Sequence, residues 1–107
     1  MDTGLDIEIN TDPPAVLTVR LSGELDLAAR PVVTEQVNGA LVENADIERV
    51  AVDLGEVKFC DSSGLGALLD IRRAAEKLGA TLVLRAPSAG VARVLDVSGI
   101  DELLPRE

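Results

Sequence analysis

The chain has 107 residues, a formal net charge of −9, and no His, Trp or Tyr. Lacking His, it has neither the commonest neutral-pH general base nor the commonest metal ligand, and Phe59, the lone aromatic, offers almost nothing for base stacking. The acidic balance would repel phosphate backbones and anionic lipid, so no direct nucleic-acid binding is expected; without His and with a single Cys, no metal and no cofactor is expected either.

In chain order, Leu5, Ile7 and Ile9 alternate with Asp6, Glu8 and Asn10, the two-residue period of a half-buried strand. Thr11-Asp12-Pro13-Pro14 supplies a turn. Val16 to Leu21 forms a second strand that completes a hairpin, ended by Ser22-Gly23. From Ala28 the period turns helical, with Val33, Val37, Ala40 and Leu41 on one face and Pro31 in the first turn. Val50-Ala51-Val52 reads as a buried central strand, followed by a loop.

The next helix runs from Ser63 to Leu78. It has Ala67, Leu68, Ile71, Ala74, Ala75 and Leu78 inward, Arg72, Arg73, Glu76 and Lys77 outward, and Gly79 as its stop. Thr81 to Leu84 is a strand, and Ser88 caps a helix carrying Val91, Val94 and Leu95 that Ser98-Gly99 terminates. Ile100 to Leu104 can add a last edge strand. The expected fold class is therefore α/β: a mixed sheet of four to five strands packed with three to four helices. A chain of this length buries roughly 65% of the surface its unfolded form exposes, enough for one core, and residues 1–107 are expected to be one domain.

Cys60 has no partner for an intrachain disulfide, and next to Phe59 and Asp61 it reads as a core residue, not a redox sensor. Met1-Asp2-Thr3-Gly4 opens no signal peptide, and no apolar stretch nears the roughly 18 residues of a membrane span. A cytoplasmic domain with no membrane insertion is expected. Asp2, Asp6 and Asp12 read as solvated acids, not a metal site.

The candidate site is Asp61-Ser62-Ser63-Gly64-Leu65-Gly66, at the point where the chain changes from strand to helix. Asp, Ser and Gly at a helix start are also what capping alone requires: one serine can accept from a backbone N–H while the other presents its hydroxyl. Two features go beyond capping. The segment holds more capping groups than one helix needs, and Gly64 and Gly66 each lower helix propensity by roughly 1 kcal/mol relative to Ala, which makes sense if something approaches closely. A catalytic serine would need an activating base, and none is at hand, so no enzyme is expected. Gly64-Leu65-Gly66 lacks the rest of a nucleotide-binding fingerprint.

Asp61-Ser62-Ser63-Gly64-Leu65-Gly66, preceded by Val50 to Leu54 and by Leu21-Ser22-Gly23-Glu24-Leu25-Asp26, closely resembles the STAS domain of bacterial anti-sigma factor antagonists. The resemblance extends through Pro87-Ser88 to Val97-Ser98-Gly99-Ile100. It implies that Ser62 is phosphorylated by a partner anti-sigma factor that is also a serine kinase, and that a phosphoserine phosphatase resets it. The unphosphorylated form would bind the anti-sigma factor and release the sigma factor. It further implies a partner surface made by Asp26, Asp61, Ser63, Gly64, Leu65 and Gly66. Phosphate would add roughly −1.5 to −2 charges beside Asp61, with Asp26 and Glu56 adding to the repulsion, which makes a binding switch that leaves the fold standing. Two other roles open to the same domain are a scaffold in a stressosome-like assembly and an accessory domain for a small ligand or a transporter. The chain stops soon after Leu103-Leu104, where the resemblance leaves room for another helix.

Overall fold

A computed structural model of the protein describes residues 4–12, 15–100 and 102–107. Leu5–Asp12 (β1) and Val16–Leu25 (β2) pair antiparallel, with Leu5 opposite Gly23 and Asp12 opposite Val16. The turn residues Pro13 and Pro14, like Asp2, lie outside the described residues. There follow Ala29–Glu43 (α1), Arg49–Cys60 (β3), Ser62–Lys77 (α2), Thr81–Arg85 (β4) and Ala89–Ser98 (α3). The sheet order is β1-β2-β3-β4, with β3 parallel to both β2 and β4. Helices α1 and α2 are the crossovers that parallel pairing demands. The expected α/β class holds, with four strands and three helices among the described residues.

Alternation decides which face is covered. Leu17, Val19 and Leu21 of β2 stand beside Val50 and Val52 of β3 and Leu82 and Leu84 of β4, and all are buried. They form one cluster with Val33, Val37 and Leu41 of α1, Leu68 and Ile71 of α2, and Val91 and Leu95 of α3. The other face carries a row that alternates in sign across all four strands, Glu8, Arg20, Asp53 and Arg85, each opposite the next. Such opposite-charge neighbours suit a solvated sheet face. Overall extents of 33 × 32 × 20 Å correspond to a sheet covered by one layer of helices.

Several expectations need correction. Ser22-Gly23 does not end β2, which continues to Leu25, and no loop follows Val52, because β3 continues to Cys60. The register shifts between Arg20 and Ser22, and again between Gly23 and Glu24; at each point β3 carries one residue more than β2. Such bulges break the two-residue period from which a strand is recognised. Gly23 has φ +108°, and a Cβ there would sit 2.2 Å from the carbonyl oxygen of Gly4, so this crossing of β1 and β2 needs glycine.

Between Ile100 and Leu104 the described residues form no edge strand: the N–H groups of Leu103 and Leu104 both donate to the Ile100 carbonyl. The tail meets the backbone of β4 later, at one isolated bridge among the described residues, through Leu84 N–H to Pro105 O at 2.8 Å and Glu107 N–H to Leu84 O at 2.9 Å. Pro105 has no N–H with which to extend that bridge into a ladder. Ser88 stands at the start of α3 without capping it, its hydroxyl donating instead to the Val57 carbonyl at 2.8 Å. That bond ties α3 to the bulged end of β3.

Candidate functional site

The site lies where β2 and β3 end. Leu25 and Cys60 are the last paired residues of these two parallel strands. Each strand leads into a helix through an aspartate, Asp26 three residues before α1 begins and Asp61 immediately before α2. The Asp26 carboxylate accepts from Ala29 N–H at 3.1 Å, and that of Asp61 accepts from Gly64 N–H at 3.0 Å. Two helix N-termini, with their unpaired N–H groups and partial positive charge, therefore open at one end of the sheet.

Asp61, not a serine, is the cap of α2. The reason is placement: Asp61 has extended backbone, φ −107° and ψ −168°, whereas Ser62 and Ser63 are already helical. Ser62 is the first residue of the helix, and its side chain is exposed. Ser63 is half-buried, and neither hydroxyl hydrogen-bonds to another described residue.

Gly64 is buried for a steric reason. A Cβ at this position would lie 2.3 Å from the Leu25 carbonyl oxygen and 2.8 Å from Cys60 Sγ. Its absence lets the first turn of α2 settle directly on the end of β2, where Asp61 N–H also reaches Leu25 O at 3.4 Å. Gly66 faces elsewhere: a Cβ on it would meet the Arg30 guanidinium of α1, with Nη1 at 2.5 Å. Arg30 Nε lies 2.9 Å from Asp70 Oδ2, and Arg73 Nη1 lies 3.1 Å from Asp70 Oδ1. The Arg30 hydrogen bond, with help from Thr34 and Arg73, holds the Asp70 carboxyl below the usual carboxylate range although partial burial opposes this. This bridge joins the first turn of α1 to the middle of α2, and Gly66 makes room for it.

Cys60 is a buried free thiol. Burial first, and then the Asp61 charge, push its pKa up to about 11, which keeps it protonated and unreactive at neutral pH.

Beside Ser62 a shallow groove of about 310 Å³ runs between the first turn of α2 and α3, lined by Ser62, Leu65, Arg93, Val94, Val97 and Ser98. Apolar side chains stay exposed at the same end of the molecule: Phe59 is 51% exposed one residue before the end of β3, and Leu27 is 70% exposed just past β2. Of the residues expected from sequence, Asp26, Asp61, Ser62, Ser63, Gly64 and Leu65 gather at this end, while Gly66 serves the α1–α2 contact. Phe59 and Arg93 join them without having been expected from sequence. Phe59 has a signal there, being the only aromatic residue in the chain.

Among the described residues, no three His, Cys, Asp or Glu side chains come together as metal ligands do, and no helix is long and apolar enough to cross a membrane.

Residues 10–105 match the family model described as Mlab, STAS domain. The anti-sigma F factor antagonist of Paenibacillus polymyxa is 34% identical over 90 residues, covering 84% of this chain and 76% of that one. The anti-sigma-B factor antagonist of Bacillus subtilis is 26% identical over 104 residues, 97% of this chain and 90% of the other. Among solved structures, an anti-sigma factor antagonist from Mycobacterium paratuberculosis superposes with a TM-score of 0.77 at 27% identity, covering 95% of this chain and 84% of that one. The unphosphorylated form of SpoIIAA shares the fold with a TM-score of 0.79 at 24% identity, over 95% of this chain and 88% of that one. Its phosphorylated form gives a TM-score of 0.71 at 22% identity, over 95% and 91% of the two chains.

Proposed function

The chain belongs to the STAS domain family, and on that premise we propose that it is an anti-sigma factor antagonist switched by phosphorylation of Ser62. Unphosphorylated, it binds an anti-sigma factor through the end of the sheet where Asp26, Asp61, Ser62, Ser63, Gly64 and Leu65 gather, and so frees a sigma factor. The partner is also a serine kinase. The Ser62 oxygen attacks the γ-phosphorus of the partner's ATP, the bond to the β-phosphate oxygen breaks, ADP leaves, and the hydroxyl proton passes to a base on the partner. A phosphoserine phosphatase returns the hydroxyl. The exchange takes place in the cytoplasm, where ATP and sigma factors are, and the domain itself catalyses nothing.

The observation that carries this reading is the division of labour at the start of α2. Asp61 satisfies the capping requirement, so the exposed Ser62 hydroxyl is committed to no bond among the described residues. A kinase can therefore take it without dismantling the helix. The new dianion would stand on a helix N-terminus, which tolerates it, beside the Asp61 carboxylate, which does not draw it in. The fold survives, and the surface offered to the partner changes.

The test is incubation with the cognate anti-sigma factor and ATP, followed by mapping of the phosphate by mass spectrometry. Phosphate on Ser62 is expected, and Ser62→Ala should bind the partner whether or not ATP is present. An active kinase that leaves Ser62 unmodified would overturn the assignment.

A further inference from the structure

Seven of the eight arginines are paired with carboxylates: Arg20 with Asp53, Arg30 and Arg73 with Asp70, Arg49 and Arg85 with Glu107, Arg72 with Glu76, and Arg106 with Asp96. Arg93 is the exception: among the described residues no carboxylate lies within ion-pair distance of it, although the chain holds 19 acids. It is exposed on α3 and lines the groove that begins at Ser62. An unpaired guanidinium is thus kept in an acidic protein across the groove from a serine hydroxyl that has no partner of its own.

We propose that Arg93 is the phosphate-reading residue of the switch: once Ser62 is phosphorylated, the Arg93 guanidinium pairs with the phosphate and holds it across the groove. This rests on the reading of Ser62 as phosphoacceptor and adds how the modified state is fixed. The guanidinium is flat, permanently charged, and matches two phosphate oxygens at once. The apolar floor between the two groups, Leu65, Val94 and Val97, offers neither of them a competing partner. Val97 is 81% exposed before modification and so is open to a partner's apolar side chain. With the phosphate drawn toward Arg93, that floor lies beneath a hydrated ion pair, and the partner's side chain would have to displace it. The switch then works by covering an apolar contact as well as by adding negative charge.

The proposal is tested on protein carrying phosphoserine at position 62 by genetic encoding, so that no cognate kinase is needed. Phosphorus NMR titration reads the second phosphate pKa, ordinarily near 6. In the otherwise unaltered phosphoprotein it should lie about half a unit or more below that of the Arg93→Ala phosphoprotein, with Arg93→Lys between them and Arg20→Ala, on the far sheet face, without effect. In binding assays with the anti-sigma factor, phosphorylation should weaken unaltered protein by a larger factor than it weakens Arg93→Ala. Equal phosphate titrations in the unaltered and Arg93→Ala forms would overturn the pairing and leave the assignment of Ser62 intact. A cognate kinase that ignores Ser62 would overturn that assignment whatever the titration shows.

Discussion

Asp26 and Asp61 hold matching posts at the ends of β2 and β3, each one residue past the paired Leu25 and Cys60, and each accepting from the N–H three residues on. The shared geometry separates two roles that a carboxylate can play here, capping and charge. Replacing Asp61 with Ala removes both and should lower stability by about 1 kcal/mol, the usual cost of a lost N-cap. Asp61→Asn keeps an oxygen for Gly64 N–H and discards the charge. Its denaturation midpoint should stay near that of the unaltered protein. Because a like charge beside the acceptor is gone, phosphorylation should weaken its partner binding less than in the unaltered protein. Urea titration and a binding assay on both variants check the two halves separately.

Gly64 makes a second prediction whose sign runs against helix propensity. Alanine is better than glycine in a helix by roughly 1 kcal/mol, yet at this position its methyl carbon would lie 2.3 Å from the Leu25 carbonyl oxygen. That atom is backbone in a paired strand and cannot swing aside as a side chain can. Gly64→Ala should therefore destabilise, by about 1–3 kcal/mol as overpacking generally does. Gly39, inside α1, is the contrast, since a methyl carbon there would find nothing within 4 Å. Gly39→Ala should stabilise by up to about 1 kcal/mol. Opposite signs for two glycines in helices, measured in one denaturant series, would confirm that contact, not propensity, decides Gly64.

Regular burial marks what could be read along the chain, and irregular pairing what could not. The helical faces of α1 and α2, and the buried run Val50-Ala51-Val52, follow from periodicity because their burial is regular. The long end of β3 does not, since two bulges in its pairing with β2 break the alternation and leave Gly55-Glu56-Val57-Lys58 looking like a loop. The site segment was legible because Asp61 to Gly66 is contiguous. Which residue caps was not, because Asp61, Ser62 and Ser63 can all accept from an N–H, and only the backbone angles choose between them. Arg93 was invisible for a different reason: its lack of a partner is a property of all the other ion pairs together, and no local pattern holds it.

Asp70 gives the acid side of the stability curve a specific origin. Its carboxyl is held below the usual range chiefly by the hydrogen bond from Arg30, a bridge between α1 and α2. For a group whose pKa is lower in the folded state, the unfolded chain takes up the proton first. The stabilisation is therefore fully present above the unfolded value near 3.9 and is lost as pH falls through the folded value. Between pH 6 and pH 3 the urea midpoint should fall in the unaltered protein, and Asp70→Asn should flatten part of that fall while starting lower at pH 6. If both proteins lost stability in parallel, the acid sensitivity would lie in other carboxylates.

Phe59 is the place to separate binding from folding. The residue is 51% exposed beside the end of β3, so truncation to Ala removes little core and should shift the denaturation midpoint only slightly. Large aromatic side chains at the centre of an interface, by contrast, often contribute more than 1 kcal/mol to association. An exposed lone aromatic one residue from the strand end, with Leu27 exposed past the neighbouring strand, is placed to be covered by the same partner that reaches Ser62. Phe59→Ala should therefore weaken anti-sigma factor binding by about tenfold or more, which corresponds to 1.4 kcal/mol, while leaving the fold near its original stability. Calorimetric titration of the unphosphorylated protein against its partner measures the first quantity, and a urea melt of the same preparation measures the second. Undiminished affinity would place the docking surface on the α3 side of Ser62, away from the strand ends.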